Sequence, residues 1–176
     1  VAEPGTVWTY NGGAVALLGH LISEGADLEL DAYAQSRLFE PLGISDFEWV
    51  AGADGVPSAA SGLRLTAQGL ATIGAMIAEN GTYNGRQVVP ASWLDLSFSS
   101  RASIMDGFGY GLLWYLAAGP SGDQIIIASG NGGQRLTVQP SAEFVVATFA
   151  GRYNDPDAWQ LPLRVVVDFA VPEVNR

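Results

Sequence analysis

The sequence predicts an α+β domain: a helical segment, then an antiparallel sheet meander, then a closing C-terminal helix. Three observations carry this. Apolar residues recur at helical spacing through the first part of the chain, up to Leu96. Four strand-like runs then follow one another between Phe108 and Ala150, joined by Gly- and Pro-rich turns of hairpin length. Helices and strands are grouped rather than alternating, which argues against a βαβ arrangement. The 176 residues suit one domain, with 1–107 mostly helix and loop and 108–176 holding the strands and the terminal helix.

Taken in order, Thr6–Tyr10 leads into Asn11-Gly12-Gly13 and then the run Ala14–Ile22, apolar nearly all round. Such a run predicts a buried helix, stopped at Gly25, and so places Tyr10 near the middle of the protein. His20, the one histidine, lies within it and reads as a satisfied, partly buried residue rather than a catalytic base. Asp31–Phe39 reads as a second helix ended by Pro41, Asp46–Val50 as a short strand, and 51–62 as loop. Thr66 is placed to cap a helix over Ala67–Glu79, whose stripe Leu70, Ile73, Met76 and Ile77 reads as core and which Asn80-Gly81 terminates. Asn84-Gly85 marks a tight turn, and Pro90 opens a short helix through Trp93 and Leu96. The strand candidates are Phe108–Leu116, Gln124–Ala128, Leu136–Gln139 and Phe144–Ala150. Trp114 and Tyr115 either line a pocket or fill the core. Pro156 opens a last helical stretch, Asp157–Ala170, which Pro162 breaks or kinks.

Ser129-Gly130-Asn131-Gly132-Gly133-Gln134-Arg135 stands out, because three glycines interrupt what would otherwise be continuous sheet. Glycine weakens a strand and is tolerated where a corner is sharp or where a ligand or another backbone must come close. Both readings stand on spacing alone.

Composition narrows the function. All 8 basic residues are arginine and none is lysine; against 18 acidic residues the formal charge is −10. That field repels phosphate backbones, so nucleic acid and anionic membrane are poor partners. There is no cysteine, which excludes thiolate nucleophiles, disulfides and Cys-ligated zinc. No apolar run reaches the length of a membrane span. Asn154, Asp155 and Asp157 offer oxygen ligands, but without the spacing of an EF-hand, so a solvated loop is the expectation and no metal or cofactor is assigned.

Several stretches together carry a resemblance: Tyr10-Asn11-Gly12 before its helix, Leu38–Ile44, Ser61–Thr66 with the helix after it, Asn84–Pro90 with Trp93, and Gly130–Gln134. In this order they resemble the class C β-lactamase and penicillin-recognising serine hydrolases, over about Pro4 to Ala150. The resemblance implies a β-lactamase/transpeptidase-like fold. It implies a serine nucleophile in a Ser-x-x-Lys motif, a Tyr-x-Asn second motif and a Lys/His-Thr-Gly third motif on a strand. Tyr10 would then relay the serine proton if neighbouring positive charge favoured its phenolate, and Gly133 would give a backbone N–H to the oxyanion. Gly12, Asn131, Gly132 and Gln134 would border the substrate. On its own, Tyr10 reads as a core tyrosine ahead of a helix.

Three departures qualify this. Gly12 stands where the family has Asn, and Gly130-Asn131 where it has Lys/His-Thr, so a cation for a substrate carboxylate is missing. A neutral small-molecule ester, amide or peptide substrate is then favoured over a β-lactam, as in the esterase and amide-oligomer hydrolase branch. Without lysine there is no Ser-x-x-Lys in these residues. The expectation is therefore an incomplete fold: the C-terminal portion of a serine hydrolase, inactive alone. Its strands over 108–150 would expose an apolar face, to be covered by an N-terminal segment of the same protein or by a homo-oligomer mate. The alternative is a binding protein that retains the fold without the chemistry. The compartment stays open.

Overall fold

In the computed structural model the described residues are 2–3, 5–119 and 122–174; Val1 and Pro4 of the opening segment lie outside them. The chain forms two compact units, residues 1–69 and 70–176.

In the first unit, α1 (Gly12–Ala26) starts at Asn11, whose Oδ1 accepts the Ala14 N–H at 3.1 Å. It ends at Asp27 in the left-handed region, φ 52°, two residues beyond the expected stop, so Gly25 lies inside the helix. The expectation of a buried helix is corrected here: only Gly19 of α1 is buried, while Leu17, Leu18, Leu21, Ile22 and His20 are exposed. Tyr10 ahead of it is likewise 58% exposed rather than central. The residues that are enclosed follow α1: α2 (Leu30–Ala34), continued by a π turn (Gln35–Phe39), brings Leu30 and Phe39 inward with Leu42 and Ile44. Phe39 meets Phe47 at 4.6 Å between ring centroids. Phe47 belongs to β1 (Phe47–Trp49), which pairs antiparallel with β2 (Leu63–Leu65), a strand the sequence did not signal. The Trp49 indole N–H donates to the carbonyls of Ser58 and Ser61, tying down the intervening loop.

Helix α3 (Ala67–Ala78) begins as expected: Thr66 Oγ1 accepts the Gly69 N–H at 3.0 Å. At its other end Asn80 and Gly81 take positive φ, and the Gly81 N–H returns to Met76 O at 2.8 Å. In the second unit Gly74 lets α3 lie against the sheet, since a Cβ there would stand 2.9 Å from Leu136 Cδ1. β3 (Thr82–Tyr83) and β4 (Arg86–Gln87) flank Asn84-Gly85, both at positive φ as a type I′ hairpin requires. Helix α4 (Ala91–Ser97) follows Pro90.

The main sheet has six antiparallel strands in sequence order: β5 (Ala102–Met105), β6 (Phe108–Tyr110), β7 (Tyr115–Ala118), β8 (Gln124–Gly130), β9 (Gln134–Gln139) and β10 (Phe144–Thr148). The expected strand Phe108–Leu116 is two strands, because the chain reverses at Gly111–Trp114 with Leu113 at φ 67°. Leu116, Ile126, Ile127, Leu136 and Val138 form the centre of the core, Val138 with 0% exposure. The strands themselves are largely covered; large exposed apolar side chains concentrate instead on α1 and on the closing helix, at Trp159, Leu161, Val167 and Phe169. That helix runs α5 (Gln160–Arg164), a π stretch (Val165–Ala170) and α6 (Val171–Val174). It starts later than the sequence implied, and so Pro162 sits in its first turn, where a helical N–H has no partner to lose. Pro162 is buried and does not break the helix.

Candidate active site

Strand β8 runs on to Gly130 and β9 begins at Gln134, and these two residues pair, leaving Asn131-Gly132-Gly133 as the loop of a tight hairpin. Gly132 and Gly133 have φ of +87° and +92°, a region that L side chains rarely adopt. Both are buried. A Cβ on Gly132 would stand 2.8 Å from Tyr153 Cδ1, and one on Gly133 would stand 2.9 Å from Ala158 O. What approaches these glycines so closely is the chain's own segment 150–158, through the Tyr153 ring at Gly132 and the Ala158 carbonyl at Gly133.

Polar contacts fix the same two segments together. Asn131 and Asn154 bond reciprocally: the Asn131 amide N–H donates to Asn154 Oδ1 at 3.0 Å, and the Asn154 backbone N–H donates to Asn131 Oδ1 at 2.9 Å. Gln134 does the same with Ala150, donating to its carbonyl at 2.6 Å and accepting its N–H at 3.2 Å. Gln134 also donates to Asn131 O at 3.2 Å, and Arg152 N–H donates to Gly132 O at 3.2 Å. Below this turn, Asp155 accepts the Asp157 N–H and pairs with Arg152. The Asp157 N–H first, and then the Arg152 guanidinium, hold the Asp155 carboxyl below its ordinary 3.8.

The structure thus gathers Asn131, Gly132, Gly133 and Gln134 into one turn. Tyr10 and Gly12 stand in the other unit, where the Asn11 side-chain oxygen accepts the Ala14 N–H at the α1 cap. Trp114 and Tyr115 fill space: Trp114 packs edge-on to Phe98 at 5.6 Å, and Tyr115 stacks on Phe108 at 5.7 Å. Among the described residues no group of three or more His, Cys, Asp or Glu could hold a metal ion, and no helix is long and apolar enough to cross a membrane.

Sequence reasoning missed two features. Asn154 was visible only as an oxygen-bearing loop residue, and its pairing spans 23 positions, which no local pattern signals. Arg135 ended the glycine-rich stretch without a role. Its Nε donates to Thr137 Oγ1 at 3.1 Å, and burial pushes its pKa below the ordinary value.

The model of the family described as Beta-lactamase matches residues 1–167. No curated protein sequence matches. Among solved structures, a protein named as a candidate 6-aminohexanoate-dimer hydrolase from Bacillus anthracis superposes with a TM-score of 0.85 at 23% identity, over 99% of this chain and 45% of its own. The octameric penicillin-binding protein homologue from Pyrococcus abyssi gives 0.75 at 20%, over 96% and 44%. Simvastatin synthase from Aspergillus terreus gives 0.70 at 17%, over 92% and 53%. At these identities the likeness is one of fold, and the chain spans about half the length of each of these proteins.

Proposed function

We propose a role that starts from one premise: this chain belongs to the Beta-lactamase family. Its residues form the C-terminal wall of a serine-hydrolase site that cleaves an ester, amide or peptide bond in a small-molecule substrate through an acyl-enzyme. A serine Oγ forms the new bond to the substrate carbonyl carbon, and its proton passes by way of the Tyr10 oxygen to the leaving group. Water then repeats the sequence to release the acid. The Gly133 N–H donates to the oxyanion, and Gly12, Asn131, Gly132 and Gln134 border the substrate. The serine and its lysine come from a Ser-x-x-Lys segment outside these residues, which contain no lysine. The 176 residues alone are therefore inactive. An N-terminal segment of the same protein, or a second copy, covers the apolar side chains that α1 presents to solvent.

The family match over residues 1–167 carries this reading. A serine-directed fluorophosphonate probe tests it: the 176-residue chain should stay unlabelled, and stoichiometric labelling would overturn the proposal. A monomer by light scattering with no co-purifying fragment would remove the partner. The second reading, a binding protein that keeps the fold without the chemistry, is favoured by the lack of lysine. The sequence encoded upstream of Val1 separates the two, since only the enzyme needs Ser-x-x-Lys there.

A further inference from the structure

Four Asn-Gly steps occur in the chain: Asn11-Gly12, Asn80-Gly81, Asn84-Gly85 and Asn131-Gly132. Such a step can modify itself. The glycine backbone nitrogen attacks the asparagine Cγ; the N–Cγ bond forms, the Cγ–Nδ2 bond breaks, and the amide leaves as ammonia with the glycine proton. The five-membered imide that results takes up water at one of its two carbonyls and opens to an aspartyl or an isoaspartyl linkage. The sum is amide plus water to acid plus ammonia. Glycine permits the attack best, because no Cβ hinders its nitrogen.

Three of the four steps are held. Asn11 Oδ1 accepts the Ala14 N–H at the α1 cap. Asn131 is bonded through both of its amide atoms to Asn154, and Gly132 is buried. At Asn80-Gly81 the attacking nitrogen is itself engaged, since the Gly81 N–H donates to Met76 O at 2.8 Å, and Gly81 is buried. Asn84-Gly85 differs in each respect. Both residues are exposed. Among the described residues the Asn84 side chain makes no hydrogen bond and the Gly85 N–H donates to no backbone group. Nothing lies within 4 Å of where a Cβ on Gly85 would stand, so water has free access.

The turn nevertheless sets a gate. Asn84 has φ 49°, and in the left-handed region ψ is about +47°, which puts its Cβ almost trans to the Gly85 nitrogen. Ring closure therefore waits for the hairpin to open. Opening is cheap here, because β3 and β4 hold only the pairs Thr82–Gln87 and Tyr83–Arg86, and a two-stranded hairpin is marginal by itself. The brace is Gln87, whose Nε2 donates to Asn80 O at 2.9 Å and to Val89 O at 2.6 Å.

We propose that Asn84-Gly85 is a self-modification site, at which opening of the β3–β4 hairpin sets the pace of conversion to the acid. The aspartyl product suits the same turn, since Asp-Gly also favours type I′. The isoaspartyl product adds a backbone methylene between β3 and β4 and breaks their pairing. The site needs no nucleophilic serine and stands apart from the acyl-transfer reading.

The test incubates the 176-residue chain in mildly alkaline buffer and follows each step by peptide mapping, with fragmentation to separate Asn80 from Asn84, which lie between the same two arginines, Arg64 and Arg86. Position 84 should gain the mass of amide-to-acid conversion first, at least about 10-fold faster than each of the other three. In urea, with the folded protection gone, the four rates should converge. An equal or faster rate at any other step of the folded chain overturns the proposal, as does no conversion at position 84 while the unfolded chain converts there. Gln87→Leu should raise the rate at position 84 several-fold while amide exchange shows the main sheet still protected; an unchanged rate would show that the hairpin is not the gate. Asn84→Asp keeps the turn and should remove the first acidic species from the charge profile, and persistence of that species would place the modification elsewhere.

Discussion

The Asn131–Gly133 turn and helix α1 are stabilised in opposite ways. The turn is closed by its own chain: both amide side chains find backbone or side-chain partners in segment 150–154, and Ala158 packs on Gly133. Helix α1 is capped at both ends, yet its apolar side chains face solvent. A turn whose shape is set internally keeps that shape whatever binds it. A helix with uncovered leucines has a surface whose energy depends on what arrives.

The largest way to break this contrast is Gly133→Ala, which places a Cβ 2.9 Å from Ala158 O at φ +92°. It should cost about 2–4 kcal/mol in urea unfolding; a loss near zero would mean that segment 150–158 does not hold the turn. Gln134→Leu removes both bonds to Ala150 and should cost about 1–3 kcal/mol, since backbone groups are left unpaired. Asn131→Ala acts at an exposed position and should cost about 1 kcal/mol. On the other side, Leu17→Gln with Leu21→Gln should change the stability of the 176-residue chain by only about 0.5 kcal/mol or less, while reducing self-association by light scattering. A large loss of stability would show that α1 is buried after all. The smallest effect is that of pH. The Asp155 carboxyl lies below its unfolded value, so its contribution is complete above 3.8 and fades as the pH falls further, through the folded pKa. Asp155→Asn should flatten that part of the acid-unfolding profile.

Local chemistry made much of the fold legible. Thr66 capped its helix, Asn80-Gly81 ended it, Asn84-Gly85 turned, and the sheet is a meander. What failed was decided by distant or absent neighbours. Leu113 gives no warning of a left-handed turn, because glycine, asparagine and aspartate favour that region locally and leucine does not. Hydrophobicity in Ala14–Ile22 was read as burial, although a sequence states that a surface wants cover and not what supplies it. At the turn, the three glycines announced a close approach, but the identity of the approaching groups lay in residues 150–158, beyond any local window.

The order of the sheet has one more consequence, for the time course of folding. Every strand from β5 to β10 pairs with the strand next to it in sequence. Each pairing closes only a short loop, and the entropy of closure rises with loop length. Low contact order of this kind favours rapid folding. The sheet should therefore form early with the Asn131–Gly133 turn already in it, and protection of amides in β8 and β9 should precede that of the closing helix in a quenched-flow exchange experiment.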